Sequence, residues 1–326
     1  MNAIGSDELG RANIDYDKCV SCGMCIVNCP FGAISDKGQL FQLIHAINAG
    51  ERVFAAVAPS FVGQLGPKVT PERLKGAMQK IGFADVAEVA VGADLCTIDE
   101  AEDFLKKVPA EQPFMATSCC PAWSVMAKKL YPDLAPNISM ALTPMVLTAR
   151  LLKKEHKNCK VAFIGPCSAK KLEASRRSVR SDVDFVLTFE EVMGMFVAKG
   201  INFDELTEEH ALREGTAAGR GFAVSGGVAG AVVGAVHRID PEREVNVVSA
   251  QGLADCRKML TIARTGKYDG FLLEGMACPG GCVAGAGTLQ PINKATATVN
   301  AYTNQAEEKN AMDSRYEITL PLLLED

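Results

Sequence analysis

A chain of 326 residues with 48% hydrophobic and 22% charged residues is long enough to bury a large core and too apolar to remain disordered. A net charge of −5 with no tract of five or more Lys or Arg argues against nucleic acid as a partner. The longest apolar stretch, Phe222–Val236, is too short and too rich in glycine to cross a bilayer, so it reads as a tightly packed buried helix and no membrane is expected. Twelve cysteines are the outlier of the composition. In a reducing compartment such usage points to metal or redox chemistry rather than disulfides. With no charged-then-apolar leader at residue 1, the expected location is cytoplasmic.

In chain order, the first cysteine motif is CVSCGMCIVNCPFGAI, from Cys19 to Ile34. Its spacing, C-x2-C-x2-C-x3-C-P, is that of the bacterial 4Fe–4S ferredoxins, so Cys19, Cys22, Cys25 and Cys29 are candidate ligands of at least one accessory 4Fe–4S cluster. A zinc knuckle fits less well, because zinc sites pair two C-x2-C units or add histidines. In two-cluster ferredoxins the fourth cysteine of a run serves the other cluster. Either Cys29 completes this site in an unusual arrangement or another group does. The likeness of Asn2–Ile4 (NAI) to residues 32–34 (GAI) is what a chain beginning just after a first half-motif would show.

From residue 50 onward short apolar runs alternate with amphipathic stretches. Strands are expected at Val53–Val57, Val86–Val91, Phe114–Thr117, Val161–Ile164, Phe185–Leu187, Val245–Ser249 and Phe271–Leu273. Helices are expected at Pro71–Ile81, Ile98–Lys107, Pro144–His156, Phe189–Lys199 and Leu253–Thr265. TPERL at Thr70 and TFEEV at Thr188 have the threonine and first-turn acids of helix starts. Glu205–Gly221 is polar and Gly-rich enough to be a loop. This alternation predicts an α/β fold with largely parallel sheets, divided into a partial ferredoxin-like segment at residues 1–45 and a larger domain at 46–326.

Three further motifs each set cysteine after an expected strand: PFMATSCCPAW with Cys119 and Cys120, KVAFIGPCSAKKLEA with Cys167, and DGFLLEGMACPGGCVAGAG with Cys278 and Cys282. Ligands gather outside the carboxyl ends of strands in open α/β sheets, so the three motifs are able to converge. Cys120, Cys167, Cys278 and Cys282 would then supply four thiolates, enough for another 4Fe–4S cluster. Cys119 and Cys120, as adjacent residues, are poor disulfide partners; either both pack inertly or they have different jobs. Cys96, Cys159 and Cys256 stand alone among apolar neighbours and are expected to be small buried hydrophobes.

These three motifs resemble the signature segments of the FeFe (iron-only) hydrogenases, written TSCCPxW, MPCxxKxxE and ExMACxxGCxxGG. The resemblance covers essentially residues 13–291. It implies an H-cluster, a 4Fe–4S cubane joined through one cysteine to a two-iron unit carrying CO, cyanide and an azadithiolate bridge. Carried over, Cys120, Cys167, Cys278 and Cys282 hold the cubane, with Cys282 bridging, and Cys119 is the proton-relay thiol. Glu173 matches the relay carboxylate, Ser139 the relay serine and Asp103 the outer carboxylate, with Glu102 its alternative. Lys170 matches the lysine that hydrogen-bonds a cyanide, and Pro59, Ser60 and Met276 match residues lining the two-iron pocket.

The implied activity is reversible hydrogen oxidation and proton reduction, exchanging electrons with a ferredoxin-like carrier, in a protein loaded by dedicated H-cluster maturation proteins. The alternatives are a hydrogen-sensing relative and an iron–sulfur assembly scaffold; relatives of the latter kind tend to lack the first cysteine of the pair. Two departures mark a divergent short form. GPC stands where MPC is usual, so Gly165 replaces a methionine, and the loop after Cys282, VAGAGTLQP, is lengthened.

Overall fold

The computed structural model describes residues 1–206, 212 and 215–325. The chain opens with a two-stranded antiparallel hairpin, β1 (Ile4–Ser6) and β2 (Ala12–Ile14), followed by the short helix α1 (Met24–Val27) inside the cysteine run and by α2 (Leu40–Asn48). Next come β3 (Val53–Val57), α3 (Pro71–Lys80), β4 (Asp85–Glu88), α4 (Val89–Lys107), β5 (Met115–Ala116), α5 (Pro121–Leu130) and α6 (Pro144–Glu155). Then follow β6 (Lys160–Gly165), α7 (Ser168–Ala174), β7 (Phe185–Thr188), α8 (Phe189–Ala198), α9 (Ala217–Gly221) and α10 (Gly227–Ile239). The chain closes with β8 (Asn246–Gln251), α11 (Leu253–Ala263), β9 (Phe271–Met276), α12 (Ile292–Asn304) and α13 (Leu320–Leu324).

Beyond the hairpin, the strands form two parallel sheets, ordered β4-β3-β6-β7 and β5-β9-β8. Every residue of β3 is buried, as expected for a parallel strand covered by helices on both faces. The first sheet carries the largest apolar cluster, and the second packs around Trp123, which is fully buried. Both expected helix starts are present. Thr70 Oγ1 accepts from Arg73 N at 3.2 Å, and Thr188 and Glu191 form a capping box at the start of α8.

The expected strand at Val86–Val91 is only half strand. It ends at Glu88, and Val89 opens a 19-residue helix of which the expected Ile98–Lys107 is the second half. Residues 89–98 are buried on every side, and such a helix has no polar face to betray its period. Tight contacts hold it. A Cβ on Gly92 would stand 2.2 Å from Pro144 O on α6, and one on Gly219 2.2 Å from Ala90 O. The buried helix read at Phe222–Val236 is present as α10, shifted to Gly227–Ile239. Its first turn is capped by the buried Glu274 of β9, whose oxygens accept from Gly226 N at 2.6 Å and Ala229 N at 2.8 Å. The loop read at Glu205–Gly221 lies partly outside the described residues, and its end is helical in α9. Helices α2, α5, α7 and α12 had not been read from the sequence. Among the described residues no helix is long and apolar enough to cross a membrane.

Gly275 of β9 lies against Trp123; an added Cβ would stand 2.2 Å from the indole. Gly275→Ala is therefore expected to overpack this contact at a cost of about 1–3 kcal/mol. The check is a lower thermal midpoint, and an unchanged midpoint would show that the indole has room to move.

Candidate active site and its cysteine ring

The two parallel sheets present their carboxyl ends to one cavity. From the first sheet come Pro59 and Ser60 after β3, and Cys167 after β6; from the second come Cys119 and Cys120 after β5, and Cys278 and Cys282 after β9. Cys120 and Cys167 stand just before the first residues of α5 and α7. Gly280 and Gly281 take φ of +92° and +99°, conformations that let the chain fold back between Cys278 and Cys282 without a Cβ penalty. Lys170 and Met276 also line the cavity. Apart from the thiols, Ser60 and Lys170, the lining is apolar.

Burial governs the electrostatics here. It pushes the Cys167 thiol up to about 11 and the Cys282 thiol to about 12, with the neighbouring thiols adding to the effect. Cys278 and Cys119 are driven up in the same way. Bare thiolates are thus disfavoured, and a bound cation would reverse the balance by compensating their charge. The Ser60 hydroxyl is fully buried and has no hydrogen-bond partner. Among the described residues no three His, Cys, Asp or Glu converge closely enough to hold a single metal ion.

Of the carboxylates, Glu100 acts on Cys119 most strongly: after burial it is the largest influence raising that thiol. Glu100 is fully buried on α4, and burial pushes its own carboxyl to about 7, against the Ser139 hydroxyl and the Ser118 N–H, which favour the charged form. One oxygen accepts from Ser118 N at 3.3 Å; the other has no partner. One turn on, Asp103 is half-buried and paired with Lys107, whereas Glu102 is exposed. Asp103 thus shares the inner side of α4 with Glu100, and Glu102 does not.

The sequence reading put a carboxylate role at Glu173 and overlooked Glu100. In the structure both Glu173 oxygens are committed, one accepting from Thr143 Oγ1 at 2.7 Å and the other from Lys170 Nζ at 2.7 Å. Lys170 also donates to Thr143 Oγ1 at 3.0 Å, which uses two of its three donors. Burial opposes the Lys170 charge, but the Glu173 carboxylate outweighs it and raises the ammonium above its ordinary value. The available signal for Glu100 was its position three residues before Asp103, one helical turn, in a helix that the sequence pattern truncated. Cys96, Cys159 and Cys256 are buried as expected.

In the N-terminal run, Cys19, Cys22, Cys25 and Cys29 are all partly exposed. Cys19 and Cys22 both raise the Cys25 thiol, after burial, so these three lie together. Backbone N–H groups, Ala33 first, lower the Cys29 thiol. Lys129 Nζ fastens the segment to α5 by bonds to Asp17 O at 2.6 Å and Cys19 O at 3.0 Å.

The comparisons with known proteins agree with this layout. Residues 51–286 match the family model for the C-terminal domain of the iron-only hydrogenase large subunit, and residues 12–35 match the 4Fe-4S binding domain. The chain is 29% identical to iron hydrogenase 1 of Clostridium pasteurianum over 79% of its own length, spanning about half (54%) of that relative. It is 29% identical to the periplasmic Fe hydrogenase large subunit of Nitratidesulfovibrio vulgaris, covering 88% of this chain and 87% of that one. It is also 25% identical to cytosolic iron-sulfur assembly component 3 of Bos taurus, over 88% of this chain and 74% of the other. In fold, it superposes on a variant of an FeFe-hydrogenase from Chlamydomonas reinhardtii with a TM-score of 0.69 at 22% identity, over 87% of this chain and 94% of that one.

Two substitutions separate the two carboxylates. Glu173→Gln leaves the buried Lys170 ammonium without its counter-ion and should cost about 3–5 kcal/mol of stability. Glu100→Gln acts through pH. The folded carboxyl titrates at about 7 and the unfolded one near 4.5, so the unfolded chain gives up its proton first. The stabilising contribution is complete below pH 4.5 and is lost as pH rises through about 7. The neutral amide removes this loss, on the order of 3 kcal/mol, so the midpoint of Glu100→Gln relative to wild type should climb across that window. A gap that does not change with pH would mean that Glu100 titrates normally.

Proposed function

Since the chain belongs to the family of iron-only hydrogenase large subunits, we propose that it interconverts protons and electrons with dihydrogen at an H-cluster in the cytoplasm. The observation that carries this reading is a thiol pair with divided surroundings: Cys120 joins Cys167, Cys278 and Cys282 around the cavity, while Cys119 has a buried, half-satisfied carboxylate for a neighbour. The residues fit the group. Four thiols at the ends of two sheets, around one cavity, suit a cluster of several irons. The unpaired Ser60 hydroxyl and the remaining Lys170 N–H are donors at the cavity wall for anionic diatomic ligands.

When bound, the H-cluster supplies the redox-active iron at which protons and electrons combine. The chain does the rest. Cys120, Cys167, Cys278 and Cys282 would hold the iron–sulfur part of the H-cluster, with Cys282 in the role that the family resemblance gives it of joining the two-iron unit. Pro59, Met276 and the apolar wall exclude water. Cys119 Sγ holds and releases the proton at the cavity, as a thiol free of metal is able to do. Glu100, with a carboxyl that titrates near neutrality and one oxygen unpaired, is matched to exchange that proton. Ser139 and then Asp103 with Lys107 continue the path toward solvent. Glu173 is a positioning residue that holds Lys170 in its charged form.

Cys19, Cys22, Cys25 and Cys29 hold an accessory 4Fe–4S cluster, the entry point for electrons from a ferredoxin-like carrier, and dedicated maturation proteins install the two-iron unit. An assembly-scaffold reading draws on the similarity to cytosolic iron-sulfur assembly component 3. A free thiol beside a buried carboxyl titrating at about 7 favours catalysis over that reading.

The deciding experiment is infrared spectroscopy of protein matured anaerobically with the two-iron precursor, together with a hydrogen-evolution assay. CO and cyanide bands with evolution are expected. Bands without turnover would favour a sensor, and bound iron–sulfur clusters without such bands an assembly scaffold. In the same preparation Cys119→Ala should keep its iron and lose about 10²–10⁴ of its turnover. Cys167→Ala should fail to assemble the centre, and a normal cluster spectrum in that variant would remove Cys167 from the ligand set.

A further inference from the structure

The N-terminal cysteine run and the active-site loops share a wall. Val20 is buried in the same apolar cluster as Trp123 and Ala169, with Cys22, Cys120 and Cys167 packed on it. Gly23 takes a left-handed φ of +76°, and a Cβ there would stand 2.5 Å from Ala286 Cβ and 3.0 Å from Ser168 Oγ. Ser168 follows Cys167 in the chain, yet its hydroxyl faces the backbone beside Cys22. It is buried to 7% exposure, and its oxygen has no hydrogen-bond partner. An orphaned buried hydroxyl costs about 1–3 kcal/mol, so its retention at the junction of two cysteine sites calls for an acceptor. The backbone at Gly23, inside the cysteine run, lies on its side: a Cβ there would stand 3.0 Å from the hydroxyl oxygen. What such a run offers, once loaded, is sulfur.

Resting on the reading that both sites hold clusters, we propose that the Ser168 hydroxyl donates a hydrogen bond to a sulfur on the Cys22 side of the N-terminal cluster and thereby sets its reduction potential. Backbone N–H groups already serve neighbouring sulfurs there, Ser21 N on Cys19 at 3.3 Å and Ala33 N on Cys29 at 3.3 Å. Ser168 adds a donor from the catalytic domain itself. Adding an electron makes the sulfurs more negative, so a donor at this place stabilises the reduced cluster and raises its potential. No bond to iron forms or breaks; the step is a one-electron exchange of the cluster. The cluster that delivers electrons would thus be tuned by the residue directly after a cubane cysteine.

The test is an EPR-monitored redox titration of the anaerobic holoprotein, following the N-terminal cluster's own signal. Ser168→Ala, with iron content equal to wild type, should lower that potential by about 59 mV, a tenfold change in a one-electron equilibrium. Ser168→Thr, which keeps a hydroxyl, should hold the wild-type value. An unchanged potential in Ser168→Ala, or a shift confined to the active-site cluster, would overturn the assignment. Wild-type protein lacking any N-terminal cluster signal would overturn the two-cluster reading, and the assignment with it.

Discussion

A parallel sheet leaves all its strand ends, and the loops that follow them, along one edge, and in this protein two such edges face each other. That geometry is the constraint on which the rest depends. Cys167 and Ser60 come from the four-stranded sheet, and Cys119, Cys120, Cys278 and Cys282 from the three-stranded one. Neither sheet alone holds the ring of thiols. Helix α4 leaves the first sheet and packs, through Gly92 and Gly219, against α6 and α9 at distances that permit no side chain. It therefore carries Glu100 as a fixed element, and Glu100 is the carboxylate with the largest influence on the Cys119 thiol.

The buried carboxylates divide sharply. Glu88 accepts from both the Arg220 guanidinium and the Tyr302 hydroxyl. Glu274 caps α10 with both its oxygens, and Glu173 is held by Lys170 and Thr143. Each of these is satisfied, as buried charge must be if the fold is to keep it. Asp94, which burial pushes to about 7, accepts from Thr216 on both oxygens; Glu100, pushed equally far, differs in having one oxygen without a partner. Glu100 is also the carboxylate with the largest influence on Cys119, the thiol that the proposed reaction needs. Ser168 is the same kind of exception on the electron side of the site: a polar atom without a partner where the N-terminal run meets the catalytic loops.

Much of this was legible in the sequence. The α/β architecture followed from alternating apolar runs, and the strands at Val53, Val161, Phe185, Val245 and Phe271 all have counterparts within a few residues. The caps at Thr70 and Thr188 were written in their own residues, because a cap is a local contact. The cysteines that line the cavity were nameable from spacing and from their places after strands, for the same reason: ligand motifs are short. Helix α4 was read half as strand because its first half is buried all round, and an apolar run without a polar face has no period to reveal.

The sequence by itself determined the α/β class, the places of the cysteine motifs after strands and which family those motifs resemble, since each of these depends on residues close together in the chain. The tertiary structure alone decided which carboxylate acts most strongly on Cys119. Glu100 is 19 residues before that thiol and Glu173 is 54 after it, and nothing in either spacing ranks them. The ranking comes from how α4 packs and from Lys170 and Thr143 claiming Glu173, contacts between segments that meet only once both sheets have formed.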